Sequence, residues 1–352
     1  MLNQVIAQAK LAYLTIAGTG LLSYLGFCFA CLAAAFPPHR QTQHPDSPKP
    51  PVKTLSPYSS SLTDVSSFAA FAPIQCDLKG NLYFHLDNGN YSSGSIMRLE
   101  RSSWKPHLFK VPSDLAKDMA FFEFSVTPLG KTRSIEERTN GQYDVLSFDS
   151  DTDDIDDTRL QIPDHLQITD FVASEAGTLL VGGYYDKTAP KDAQGKPFLA
   201  LVEPSGRISR DFTVEGPGPV DLSVVSMKHH DGAGTVGPDG NFYFVSGSVM
   251  LVLSAYGDLV RRLPIPKPED DTHASAIAIA GDLISIQFGK SDKDGMIHQQ
   301  YLVLSASTGD PYAVYVPAEE LGNNCVCFSS RSGYTFLRVE NGKLKFVTAP
   351  LS

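Results

Sequence analysis

Residues 237–247 read GPDGNFYFVSG: a polar turn of Pro238, Asp239, Gly240 and Asn241, then an apolar run rich in aromatic residues. A tight hairpin turn often needs a residue at positive φ, which glycine reaches without a Cβ clash. The run after it has the composition of a strand. The same pattern stands at Asp77 (DLKGNLYFHL), Ser125 (SVTPLGKTRSI), Glu175 (EAGTLLVGGY), Ile279 (IAGDLISIQFG) and Ser330 (SRSGYTFLRVE). Its turn glycines are Gly80, Gly130, Gly177, Gly240, Gly281 and Gly333, spaced 50, 47, 63, 41 and 52 residues apart.

A second strand follows each time: SIMRLE at Ser95, YDVLSFDSDT at Tyr143, FLALVEPSGRI at Phe198, MLVLSAYGDLV at Met250, YLVLSASTGDPYAVYV at Tyr301 and KLKFVTA at Lys343. Helical periodicity is lacking after residue 58, apart from one turn at Ser113 to Lys117. Units of about 50 residues with four strands each are the pattern of a β-propeller, since sheets set radially bury faces that one sheet alone leaves wet. The expected fold is all-β: a six-bladed β-propeller of four-stranded antiparallel blades over 58–352, preceded by an N-terminal hydrophobic helix. The 63-residue interval leaves five or seven blades open. The sixth unit is short, and residues near Lys53 to Ser67 are expected to supply its outer strand. That closure removes an exposed edge.

VGPDGNFYF and DLKGNLYF resemble the strand turns of NHL-type six-bladed propellers, a superfamily that includes the virginiamycin B lyase-like and gluconolactonase-like groups. The resemblance rests on structural residues and implies the fold, with a metal or ligand at the central channel. It carries over no catalytic residue. The pair Gly182-Gly183 before Tyr184 is faintly kelch-like, but it occurs once and lacks that repeat's tryptophan.

The 352-residue chain has 29 basic and 39 acidic side chains, a net charge of −10, with 42% hydrophobic residues. Such a chain can bury a core, and its lack of clustered Lys and Arg argues against nucleic acid as a partner. From Leu11 to Phe36 no residue is charged. That run is long enough to cross a bilayer as a helix. Three readings of 1–36 stand: a retained membrane anchor, a signal peptide cut after Ala33-Ala34-Ala35, or a lipidated segment using Cys28 or Cys31. All place the body in an extracytoplasmic compartment, the periplasm or cell surface, membrane-anchored or secreted. Residues 37–57 carry seven prolines and read as an extended tether.

Candidate site residues lie where innermost strands begin, at the channel mouth: Asp118, Asp170, His230, Asp231, His273 and Asn324. Asp118, Asp170 and Asp231 offer hard oxygen ligands for a divalent cation, calcium or magnesium. The alternative is that these residues cap strands and bond neighbouring blades. Adjacent residues on a strand face opposite ways, so only one of His229 and His230 can face the channel. The acidic run Asp149 to Asp157 opens like an EF-hand loop, but Asp154 replaces the required Gly and Leu160 the required Glu, so it reads as a solvated hairpin turn.

Cys76, Cys325 and Cys327 lie in the first and sixth units, which ring closure makes neighbours. An oxidising compartment permits a bridge from Cys76 to Cys325 or Cys327; buried reduced thiols are the alternative. No nucleophile elbow, Walker A loop, dinucleotide fingerprint or pair of Cys-x-x-Cys motifs is present. Two functions remain open. One is a tethered propeller binding a protein, peptide or glycan, favoured by insertions at Asp186–Pro197 and Gly289–Gln299. The other is a metal-dependent hydrolase or lyase with its site in the channel.

Overall fold

The computed structural model describes residues 49–66, 70–86, 95–116, 119–149, 154–163, 165–212, 232–246, 248–269, 271–291, 297–322 and 324–352. All six turn glycines have left-handed backbones, with φ from 62° to 94°. Each joins the first and second strands of one sheet, so the repeat read from the sequence is the repeat of the fold.

Two N-terminal strands, β1 (Val52–Leu55) and β2 (Ser59–Ser66), precede the blades. Blade 1 comprises β3 (Ala70–Cys76), β4 (Leu82–Leu86), β5 (Ser95–Leu99) and β6 (Pro106–Phe109). A single helical turn, α1 (Ser113–Ala116), leads to blade 2: β7 (Met119–Val126), β8 (Thr132–Arg138), β9 (Tyr143–Phe148) and β10 (Ile155–Arg159). Blade 3 is β11 (Leu166–Ala173), β12 (Leu179–Tyr185), β13 (Pro197–Val202) and β14 (Ile208–Asp211). Blade 4 is β15 (Gly232–Val236), β16 (Phe242–Ser246), β17 (Val249–Leu253) and β18 (Leu259–Pro264). Blade 5 is β19 (His273–Ala280), β20 (Leu283–Ser291), β21 (Ile297–Ser305) and β22 (Pro311–Pro317). Blade 6 holds β23 (Cys325–Ser329), β24 (Gly333–Glu340) and β25 (Lys343–Ala349).

The first strands touch in a closed circle: β3, β7, β11, β15, β19, β23 and back to β3. Six sheets about a shared axis is the outcome, with neither five nor seven. The missing outer strand of blade 6 is β2, antiparallel to β25, as the sequence leads one to expect. The start of the segment expected in that strand, from Lys53, belongs instead to β1, a separate strand. It runs parallel to β22 as a fifth strand of blade 5, and Leu55 is wholly buried between blades 5 and 6. Among the described residues the first strand therefore starts at Val52, inside the stretch read as tether.

Six buried apolar clusters fill the six seams, one between each pair of neighbouring blades. Each sheet is covered on both faces, which explains why strands such as MLVLS read as continuous apolar runs. Arginines join the blades at their edges. Arg210 donates to the Tyr256 carbonyl at 3.2 Å, and Arg261 to the Ala306 and Ser307 carbonyls at 2.7 and 2.8 Å.

Gly182-Gly183 has a packing explanation in place of a kelch-like one. A Cβ on Gly183 would stand 1.9 Å from the Gln167 carbonyl oxygen and 2.7 Å from the Phe198 ring. Backbone cannot yield as a flexible side chain does, so Gly183→Ala is expected to cost about 2–3 kcal/mol. Urea unfolding measures it, and a loss below about 0.5 kcal/mol would show that β11 and β12 can separate freely.

Cys76 and Cys327 form a disulfide with Cα atoms 5.5 Å apart, which joins blades 1 and 6. Cys325 remains a free thiol. Two residues apart on a regular strand the two thiols would share a face, but β23 is bulged between them. Cys327 therefore packs towards blade 1 and Cys325 towards blade 5.

The described part of the acidic run flanks a hairpin: Asp149 follows β9, and Asp156 and Asp157 lie on β10. The described parts of Gly289–Gln299 extend the β20–β21 ladder, with Gly289 opposite Gln299. No helix among the described residues is long and apolar enough to cross a membrane; the run 11–36 lies outside them.

Candidate functional site: paired carboxyls in the channel

A side chain on a first strand is flanked by neighbouring blades, so solvent reaches it only from the axis. Two acids hold that position, Glu123 on β7 and Asp170 on β11, and both keep partial exposure. Each strand is bulged one residue earlier, between Phe121 and Glu123 and between Ile168 and Asp170. Each carboxylate accepts a hydrogen bond from the next backbone N–H: Phe124 to Glu123 at 2.9 Å, and Phe171 to Asp170 at 2.7 Å. The two arrangements are copies of one another on adjacent blades.

Burial raises the Glu123 carboxyl to about 7; the Phe124 N–H offsets this in part and the charge of Asp170 adds to it. Burial likewise raises Asp170 to about 6, against the Phe171 N–H. Ionising both places two negative charges close enough to interact, with no cation paired to either among the described residues. One step further along each strand the residues serve the scaffold. Gln75 donates to the Phe124 carbonyl at 2.7 Å and accepts from the Val126 N–H at 2.8 Å. Ser125 accepts from the Ala173 N–H at 3.1 Å.

Of the six candidates read from the sequence, Asp170 stands on the first strand of blade 3, partly exposed. His273 is the first residue of β19 and exposed, beside Asp271, which pairs with Lys290 at 3.1 Å. Asn324 is exposed just before β23, and its carbonyl accepts the Leu337 N–H at 2.8 Å. These three stand on different blades. Asp118, His230 and Asp231 lie outside the described residues. Glu123 was missed, although its signal was in the repeat: it precedes Gly130 by seven residues, as Asp170 precedes Gly177.

The pair suits a cation in charge and donor type, but no group of three His, Cys, Asp or Glu among the described residues is placed to hold a metal. Calcium takes about six to eight oxygens. Two carboxylates fall well short.

No family model and no curated protein matches the sequence. Solved structures match it at the level of fold. One is the calcium-binding protein regucalcin from Agrobacterium tumefaciens, at 13% identity and TM-score 0.44 over 86% of this chain and 97% of that one. Another is described as a gluconolactonase, at 12% identity and TM-score 0.40 over 84% and 94% of the two chains. A third is an oligogalacturonate lyase in complex with manganese, at 12% identity and TM-score 0.41 over 77% and 74%. The chain is a six-bladed β-propeller, and the solved structures that resemble it include regucalcin- and gluconolactonase-type propellers.

Proposed function

We propose that this is an extracytoplasmic propeller that binds a ligand in its channel through a cationic group held by Glu123 and Asp170. The observation that carries the reading is the duplicated pair itself: two carboxyls at one register of adjacent blades, raised in pKa because no cation offsets their burial. A ligand ammonium would supply that charge, which favours a peptide or protein ligand over a neutral glycan. The Cys76–Cys327 bridge supports an oxidising compartment, and the apolar run 11–36 supports a membrane tether.

A second reading, a metal-dependent hydrolase or lyase, is favoured by the same hard oxygen donors. Asp118 and Asp231 are the residues that could complete a coordination set. A metal held there would polarise a carbonyl or lower the pKa of a water.

Titration calorimetry of the full chain separates the readings. A peptide with a free N-terminal amine is expected to bind at least tenfold more tightly at pH 8 than at pH 5, because deprotonation of the pair completes above about 7. The double variant Glu123→Gln, Asp170→Asn should abolish that dependence. Binding that ignores both pH and the double variant sinks the proposal. Stoichiometric uptake of calcium or magnesium, lost in the double variant, would favour the metal-dependent reading.

A further inference from the structure

The geometry points to an oxyanion site at the seam of blades 2 and 3, away from the channel. Arg133 on β8 is 9% exposed and makes no ion pair within 4 Å among the described residues. Its hydrogen-bond partner among the described residues is a neutral one: Nη1 donates to the Ser174 carbonyl at 2.9 Å. An arginine cannot shed its proton in a protein, so a buried guanidinium without a counter-ion is costly. Burial pulls its pKa down, and the charge of Glu175, which lies beyond pairing distance, opposes this.

The guanidinium borders a cavity of about 100 Å³ that is also lined by Ser147, Thr158, Gly177 and Gly206. Ser147 and Thr158 come from β9 and β10, and neither hydroxyl has a hydrogen-bond partner among the described residues. The two glycines keep the space open. A Cβ on Gly177 would sit 3.4 Å from Arg133 Nη2, and one on Gly206 2.0 Å from the Arg159 carbonyl oxygen. A guanidinium and two hydroxyls from three neighbouring strands suit the several acceptor oxygens of a tetrahedral oxyanion, phosphate or sulfate. The volume is below the roughly 300 Å³ of a small-molecule pocket, so only a group of that size enters.

Acids surround the site but leave its donors available. Glu203, which also lines the cavity, is tied to Arg207 at 3.0 Å, Asp156 is exposed to solvent, and Glu175 accepts the Leu129 N–H at 2.6 Å through Oε1, its Oε2 having no hydrogen-bond partner among the described residues. These charges keep the expected affinity in the millimolar range. We assign the site to a phosphate- or sulfate-type group, free or carried as an ester.

The test is thermal unfolding of the full chain in sodium phosphate or sodium sulfate against sodium chloride of equal ionic strength, with calorimetric titration beside it. A ligand that binds only the folded state raises the midpoint in proportion to its occupancy. Phosphate or sulfate is expected to raise the midpoint over chloride, and Arg133→Met to remove the rise. Ser147→Ala and Thr158→Val should each weaken binding at least threefold while keeping the fold, which leaves the idea testable should Arg133→Met fold poorly. Tighter binding of inorganic phosphate than of glucose 6-phosphate assigns the site to the free ion; the reverse order assigns it to an ester. No oxyanion effect beyond chloride overturns the proposal, and so does an effect that survives all three substitutions. Acetate binding as tightly as phosphate overturns the tetrahedral class.

Discussion

Between pH 5 and pH 8 the protein is expected to lose stability, with Glu136 alone accounting for about 3 kcal/mol. Glu136 lies on β8 with no solvent exposure. Ser134 donates to its Oε1 at 2.7 Å, and its Oε2 has no hydrogen-bond partner. Directly across the ladder stands Asp144, also buried, whose charge is met by Arg138 and Arg159. Both cations are thus committed, and among the described residues no other cation pairs with Glu136. Burial is the main cause that raises its pKa to about 7; the Ser134 hydrogen bond opposes the shift and Asp144 adds to it.

The sign follows from linkage. Below about 4.5 the carboxyl is protonated both folded and unfolded, and it costs nothing. Between about 4.5 and 7 the unfolded chain releases the proton while the folded one keeps it, so each step up in pH favours unfolding. Above 7 the folded protein carries a buried charge and the full cost is present. Glu123 and Asp170 act in the same direction. The carboxylates with lowered pKa, such as Asp282 and Glu269, sit at the surface, where pairing contributes little. Urea unfolding at pH 5 and pH 8 measures the effect. Glu136→Gln should leave stability near pH 5 unchanged and raise it at pH 8. A wild-type protein as stable at pH 8 as at pH 5, or a variant with the same pH slope, would show that a cation or water compensates Glu136.

Much of this architecture was legible because its punctuation is chemical. A glycine at positive φ, a polar turn and an apolar strand recur six times, and nothing in tertiary packing overrides a turn of that kind. The departures share one cause. Strand period was used to place residues, and bulges break the period. The bulge at Val326 separates Cys325 from Cys327, so reading alone left the bridge unresolved. Bulges before Glu123 and Asp170 set which acids face the axis, whereas counting from strand starts favoured Asp118 and passed over Glu123. β1 was hidden for a different reason. Its four residues follow Pro50 and Pro51, and only the edge of blade 5 makes them a strand. Glu136 carried no sequence signal at all, because its isolation comes from two arginines turned towards another acid.

Loss of the Cys76–Cys327 bridge is expected to cost about 4–5 kcal/mol, since it spans 251 residues and the restriction of the unfolded chain grows with loop length. The single tryptophan reports on that seam. In blades 3, 4 and 5 the turn between the third and fourth strands ends on Gly206, Gly257 or Gly309, each at positive φ. Trp104 holds the equivalent place in blade 1 with φ 55°, a conformation that disfavours a bulky residue. Its ring supplies the compensation: it stacks on Phe346 of blade 6 with centroids 4.1 Å apart, under the Arg101 guanidinium at 4.8 Å. Trp104 packs against the same apolar cluster as Cys76 and Cys327. Cys76→Ser should therefore lower the unfolding midpoint in urea and shift tryptophan emission to the red, as water reaches the ring. Cys325 will not substitute in Cys327→Ser. It faces the other seam, and burial raises its thiol to about 12, which leaves almost no thiolate to react. A variant with unchanged emission and a loss under about 1 kcal/mol would mean that the β2–β25 ladder and the seam's apolar contacts close the ring without the covalent link.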